Sequence, residues 1–281
     1  PDETLESYAG LYAQLSGWAN EIEGKEVPFV YCSVPYSSDP DEPDLPVGIE
    51  DYGNDDLDRF LSYLREKGVE TIDFRAEMKK DGYSVYDMMY RTDHHWTTEA
   101  GLYAYGILED YLTEHLNCEV DERIRDISNY TVTTYPNWHL GSYGQRTGSL
   151  YAGIDDFDLI VPNFETTITN GTETGKMQDL VYNLEPLAAR DFHSRYTYDA
   201  VLDKALGSYK NLDCKNDKKL LIITDSFGKA VCPYLIMGFG EIRYMYDGTI
   251  LDVTPEYLTE YQPDAIIVLS YVGIIPGLME L

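Results

Sequence analysis

KKLLIITDSFGKAVCPYLIMGFG, residues 218–240, decides the fold. Leu220 to Ile223 form an unbroken apolar run of strand length, suited to a strand covered on both faces. Asp225-Ser226 interrupt it, and a second apolar stretch with helical character begins at once. A strand that turns directly into a helix is the repeating unit of a parallel sheet. The turn puts the Ser226 hydroxyl at the carboxyl end of a strand, where open α/β sheets keep their ligands.

The same rhythm continues on both sides. Apolar runs predict strands at residues 27–34, 69–74, 219–224, 241–246 and 264–269. Helical spacing predicts helices at 4–23, 57–68, 75–80, 97–116 and 254–262, with Thr97 or Thr98 capping the fourth. The fold class read from this pattern is α/β, a parallel sheet with helices on both faces. Residues 118–200 differ in character, being rich in Thr, Tyr, Gly and Asn, with short β-like runs such as YTVTTY and FDLIVP. They read as a partly antiparallel insertion in a single domain spanning residues 1–281.

The bulk numbers restrict function. Fifty acidic against 21 basic residues give a net charge of −29, which repels phosphates and excludes nucleic acid as a partner. It also argues against resting on an anionic membrane. Residues 37–58 hold much of the acid and read as a solvated loop. The 26 tyrosines suit polar ligands such as sugars, because a ring offers an apolar face and a polar tip; compositional drift explains them equally well. None of the four cysteines forms a Cys-x-x-Cys pair, Cys32 and Cys232 read as core, and a Cys118–Cys214 bridge stays open. No stretch has the length of a transmembrane helix. No signal peptide is visible, and a start at PDETLESY without Met leaves both a leader and an anchor undecided.

Two motifs carry chemistry. Ser226 sits near a predicted helix N-terminus, whose N–H groups can stabilise an oxyanion; the plain alternative is a Ser N-cap. RTDHHWTTEAG, residues 91–101, also leads into a helix. In an extended stretch, residues two apart point the same way, so Asp93 and His95 can face one site. Asp93 would fix the His95 tautomer, and His95 would take the proton from Ser226, a weak nucleophile without a base. The alternatives are satisfied polar residues at a helix start with Trp96 as a core anchor, or a metal held by Asp93, His94 and His95. Adjacent ligands rarely fit one ion, and His115, His139 and His193 complete no metal motif, so no metal is expected.

TDHHWT, with Asp93-His94-His95-Trp96, resembles the motif of the DHHW family. That family is similar to the alginate O-acetyltransferase-like SGNH hydrolases, whose pattern is Asp-x-His-Trp followed later by a strand ending in Asp-Ser, here Asp225-Ser226-Phe227. The resemblance spans roughly residues 27–270 in element order. It implies an SGNH-like, flavodoxin-like sheet with Asp93, His95 and Ser226 as triad and His94 in the variable slot. Ordinary SGNH hydrolases carry Gly-Asp-Ser early and Asp-x-x-His late. This chain has the reverse order and Thr224 before Asp225, which matches the alginate-acetylation branch. The Gly and Asn oxyanion donors of the pattern have no secure place; Phe227 and the segment WHLGSYGQRTG (138–148), through Gly141, Ser142 or Arg146, are the candidate substrate or oxyanion residues. A Gly-rich turn cluster is the alternative for that segment.

The resemblance implies an O-acetyltransferase or O-acetylesterase that uses no cofactor. Its substrate would be a carbohydrate or acetylated glycan in a bacterial extracytoplasmic setting, secreted or membrane-anchored, with a membrane-bound acetyl-donor protein as a conceivable partner. The net charge makes an anionic acceptor less comfortable unless a local cleft is basic. The rival expectation is a non-catalytic glycan-binding or envelope-assembly protein on the same fold, in which Ser226 and His95 could be splayed apart with an aromatic groove elsewhere.

Overall fold

The predicted apolar runs all become strands, and shorter polar ones join them: β1 (Phe29–Ser33), β2 (Glu70–Asp73), β3 (Tyr130–His139), β4 (Asp155–Pro162), β5 (Thr167–Thr169), β6 (Thr174–Lys176), β7 (Gly207–Asn211), β8 (Lys219–Thr224), β9 (Glu241–Tyr246) and β10 (Ala265–Ser270). The structure, a computed structural model, describes residues 2–22, 24–50, 52–192, 195–202 and 207–271. Residue contacts divide the chain into two compact units. One holds the chain up to Asp87, Leu220–Asp225 and the chain from Met245; the other holds Met88–Lys219 and Ser226–Tyr244.

In the first unit the strands lie in the order β2-β1-β10-β8, all parallel. Register aligns Tyr31 with Val268 and Val268 with Ile223, so β-branched and aromatic side chains stack across the sheet. On one face Tyr31, Leu221, Ile223, Ile266 and Val268 pack against helices Asp2–Asn20, Tyr52–Glu66 and Pro255–Tyr261. Tyr31 meets Tyr12 and Phe60 edge-on, with ring centroids 5.0 and 5.3 Å apart. On the other face Val30, Cys32, Ile222 and Ile267 are equally buried. Each such side chain contributes about 1.5–3 kcal/mol by leaving water, which is why these strands lack the alternation of a one-sided sheet. The helix expected at 57–68 starts earlier, inside the expected acidic loop. Buried Asn54 donates to Ser38 O (2.9 Å) and accepts from Arg75 Nη1 (3.0 Å), fixing that first turn.

In the second unit β9-β7-β5-β6 form an antiparallel run. The runs YTVTTY and FDLIVP become β3 and β4, an antiparallel pair in register from Tyr130↔Pro162 to His139↔Asp155, irregular between Tyr135 and His139. Thr97 is the cap of helix Thr98–Leu116, its Oγ1 accepting from Ala100 N at 3.2 Å. Gly101 lets that helix approach the backbone of Ala230, since a Cβ there would lie 2.3 Å from Ala230 O. The helix expected directly after Ser226 is instead a 3₁₀ turn, Ser226–Ala230, followed by an α-helix, Cys232–Gly238. Val231 N bonds Gly228 O three residues back, and Pro233, which has no N–H, belongs in the first turn of a new helix. Cys118 and Cys214 are not bridged to each other. Among the described residues no helix is long and apolar enough to cross a membrane.

Candidate active site

Residues 91–101, Ser226 and Phe227 lie in the second unit. Residues 91–95 form a bend rather than an extended stretch. Its base is closed by Tyr90 N to His95 O (3.1 Å) and Thr97 N to Met88 O (2.8 Å). Thr92 ties the bend to β4, with N and Oγ1 both 2.7 Å from Asp155 Oδ2. Trp96 is fully buried, and its Nε1 donates to Phe227 O at 2.9 Å. That bond pins the bend to the turn carrying Ser226, across 131 positions of sequence. The expected common facing of Asp93 and His95 is therefore present, produced by a tight bend and not by strand pleating.

His95 Nε2 lies 2.6 Å from Ser226 Oγ, and His95 Nδ1 lies 2.9 Å from Asp93 Oδ2. Asp93 and His95 are buried. The imidazole stacks on the ring of Tyr198 (centroids 4.5 Å apart) and lies tilted against that of Phe227 (4.9 Å). Asp93 accepts from more groups than His95. Oδ1 takes the backbone N–H of His94 and of Ser142, each at 2.9 Å. Oδ2 also takes His139 Nε2–H at 3.2 Å and the Tyr196 hydroxyl, which lies 2.9 Å from His95 Nδ1 as well.

These contacts set the charge states. Burial pushes the Asp93 carboxyl up, but hydrogen bonds from His139, His94 and His95 outweigh it and hold it far below the usual carboxylate range. Burial lowers His95; the adjacent Asp93 opposes this only in part, and the other two imidazoles add to it. Burial and the Asp93 charge push the Tyr196 phenol well up, so it stays a donor. The result is a neutral imidazole whose Nδ1 proton faces a carboxylate and whose Nε2 lone pair faces an alcohol. That is the arrangement needed to take a proton from Ser226.

The candidate oxyanion residues fare differently. Gly141 N–H is engaged by Thr92 Oγ1 at 3.1 Å, and Ser142 N–H by Asp93. A Cβ on Gly141 would stand 2.0 Å from Asp93 Cβ. Both residues thus seat the carboxylate, and neither N–H is spare for an oxyanion. Arg146 is exposed in the last turn of helix Ser142–Thr147. Phe227 follows Ser226 in the turn, its ring against His94, His95 and Trp96.

Sequence reasoning missed His139 and Tyr196 as partners of Asp93. His139 ends β3 at the irregular pairing, and Tyr196 precedes the 3₁₀ turn Thr197–Ala200. The only local signal was His139 between apolar Trp138 and Leu140. One ligand atom each from Asp93, His94 and His95 also lies within 4.8 Å of the others, so distance alone permits a cation. Yet both His95 nitrogens and both Asp93 oxygens already hold hydrogen bonds, and a cation would have to displace them. His193 falls outside the described residues.

The family model described as "DHHW protein" matches residues 73–246, more than half of the chain. A second, "SGNH hydrolase-like domain, acetyltransferase AlgX", matches residues 13–123. No curated protein sequence matches. Among solved structures, Bacillus cereus PatB1 carrying a sulfonyl adduct superposes with a TM-score of 0.73 at 18% identity, over 98% of this chain and 89% of that one. A DHHW family protein from Eubacterium siraeum gives 0.66 at 19%, over 96% and 88%. The O-acetyltransferase domain of Pseudomonas putida AlgJ gives 0.54 at 12%, over 98% and 84%. The likeness to these structures is one of fold.

Proposed function

The chain belongs to the DHHW protein family, and on that premise we propose that it is a serine-dependent acyl-transfer enzyme, an O-acetyltransferase or O-acetylesterase acting on an extracytoplasmic bacterial glycan. The observation that carries the proposal is the 2.6 Å contact between Ser226 Oγ and the His95 nitrogen remote from buried Asp93. The rival glycan-binding reading makes no demand that this pair meet.

In the proposed cycle His95 Nε2 takes the Ser226 proton as Oγ attacks the acyl carbonyl carbon of an ester donor. The imidazolium is stabilised by Asp93 and returns its proton to the departing alcohol. An acyl ester on Oγ remains. Water or a sugar hydroxyl then attacks that ester, passing its proton to His95 and thence to Oγ. The proposed oxyanion donor is the backbone N–H of Phe227, at the start of the turn. Ser142 and Gly141 act indirectly, by holding Asp93. The solved PatB1 carries a sulfonyl adduct, and a sulfonyl group traps an activated nucleophile; the same trapping is expected here at Ser226. The fold shared with the AlgJ O-acetyltransferase domain supports acetyl as the group transferred. An extracytoplasmic location, and an acetyl donor presented by a membrane protein, belong to the same reading.

The test is release of p-nitrophenol from p-nitrophenyl acetate by wild type and Ser226→Ala. The variant is expected to show only the background rate. Undiminished activity in Ser226→Ala would remove the nucleophile assignment.

A further inference from the structure

The other histidine of the motif has no task in the proton path, yet it lies in the site. The His94 ring packs on His95 with centroids 3.9 Å apart and lies 5.9 Å from the Phe227 ring. Its side chain is 34% exposed, whereas that of Asp93 is fully buried and that of His95 nearly so. Its backbone N–H and its Nδ1 side both face Asp93, which leaves the Nε2 side of the ring without a part in holding the carboxylate.

The tautomer of His94 follows from its neighbours. Nδ1 lies 3.1 Å from Asp93 Oδ1 and 2.8 Å from Ser142 Oγ. A carboxylate only accepts, so Nδ1 carries the proton, and in the neutral ring Nε2 then carries the lone pair. Among the described residues no group bonds Nε2. The site thus has two imidazole acceptors side by side: His95 Nε2 for the proton of the reacting hydroxyl, and His94 Nε2 with nothing from the protein on it. Beside His94, at 6.2 Å between centroids, stands Tyr143, 37% exposed. An aromatic ring next to a hydrogen-bond acceptor is the pairing that recognises a sugar, apolar C–H face on the ring and hydroxyl on the lone pair.

We propose that His94 orients the acceptor in the transfer step, its Nε2 accepting from one hydroxyl of a sugar while a neighbouring hydroxyl of the same sugar attacks acyl-Ser226, an assignment that rests on the acyl-transfer reading above. In that step the acceptor oxygen bonds to the acyl carbon and the bond from that carbon to Ser226 Oγ breaks. The acceptor proton passes to His95 Nε2 and then to Oγ. His94 exchanges no proton; it favours a diol-bearing glycan over water.

The test uses paired substitutions. In His94→Asn the amide nitrogen replaces Nδ1–H and keeps a donor toward Asp93, with nothing in place of Nε2. His94→Gln places an amide near the Nε2 position instead. Acyl-enzyme is formed from p-nitrophenyl acetate, and acetyl products are counted by mass spectrometry with cellopentaose or methanol as acceptor. Wild type is expected to favour cellopentaose over methanol. His94→Asn is expected to lower the cellopentaose-to-water ratio about tenfold, the scale of one lost hydrogen bond, and to move the methanol-to-water ratio less. His94→Gln is expected to recover part of the loss. No wild-type preference, an unchanged ratio in His94→Asn, or equal losses with both acceptors would each overturn the proposal. Absence of any acyl-enzyme in wild type would overturn the acyl-transfer reading itself, and this proposal with it.

Discussion

Replacing Asp93 by Asn separates catalysis from folding. If the Asn oxygen keeps the two backbone N–H groups of His94 and Ser142, its NH₂ faces three donors: His95 Nδ1–H, His139 Nε2–H and the Tyr196 hydroxyl. Two can adapt. The Tyr196 hydroxyl can rotate, and His139 can move its proton to Nδ1, which has no hydrogen-bond partner. His95 can adapt only by moving its proton to Nε2, where it points at Ser226 and the base is lost. A wrong tautomer of this kind costs a serine protease about 10⁴ in kcat, or about 5.5 kcal/mol of barrier. Lost charge-assisted bonds at about 1–3 kcal/mol each, offset by the two adaptations, leave a destabilisation of about 2–4 kcal/mol. The expected variant folds, melts lower and loses about four orders of magnitude in acylation rate. Stopped-flow release of p-nitrophenol and thermal unfolding measure the two effects. Activity within tenfold of wild type in a folded Asp93→Asn protein would refute the tautomer argument.

The lowered pKa of His95 places the acid limb of kcat/KM below the ordinary imidazole value of about 6.5, and a pH–rate profile with its midpoint at or above that value would contradict it. Linkage gives the stability sign: the unfolded chain protonates His95 first, so stability falls as pH drops from about 6.5 toward the folded value. Asp93, depressed when folded, keeps its full contribution above about pH 4 and loses it only in stronger acid; urea midpoints across pH check both. Gly141→Ala sets a Cβ 2.0 Å from Asp93 Cβ and is expected to cut activity about 100-fold or more by displacing the carboxylate. Gly10→Ala meets nothing within 4 Å and should raise stability by about 0.5–1 kcal/mol in its helix. Chelator treatment and dialysis are expected to leave activity intact; a loss restored by zinc would instead assign Asp93, His94 and His95 to a metal.

The parallel strands β1, β8 and β10 were legible because their apolar runs are buried on both faces, a pattern that needs no tertiary knowledge. The short strands β5, β6 and β7 were not, since TIT, TGK and GSYKN carry little apolar signal and form only by pairing. The start of helix Tyr52–Glu66 was hidden because its first turn is polar and is fixed by Asn54 reaching Ser38 and Arg75. At the site, Asp93, His95, Trp96 and Ser226 stood out as two motifs. Their supports did not: His139 and Tyr196 reach Asp93 across 46 and 103 positions, and no local pattern encodes such contacts. Gly141 and Ser142 belong to the segment expected to supply oxyanion donors, and their N–H groups instead bind Thr92 and Asp93.

Everything functional turns on whether the Ser226 oxygen is an activated nucleophile, and a serine-directed fluorophosphonate reads that without knowledge of the acceptor or donor. Peptide mass spectrometry after labelling is expected to find one phosphonyl adduct, on Ser226, with labelling abolished in Ser226→Ala and strongly slowed in His95→Gln. An unlabelled Ser226 in folded protein, or equal labelling rates with and without the His95 imidazole, would contradict the account.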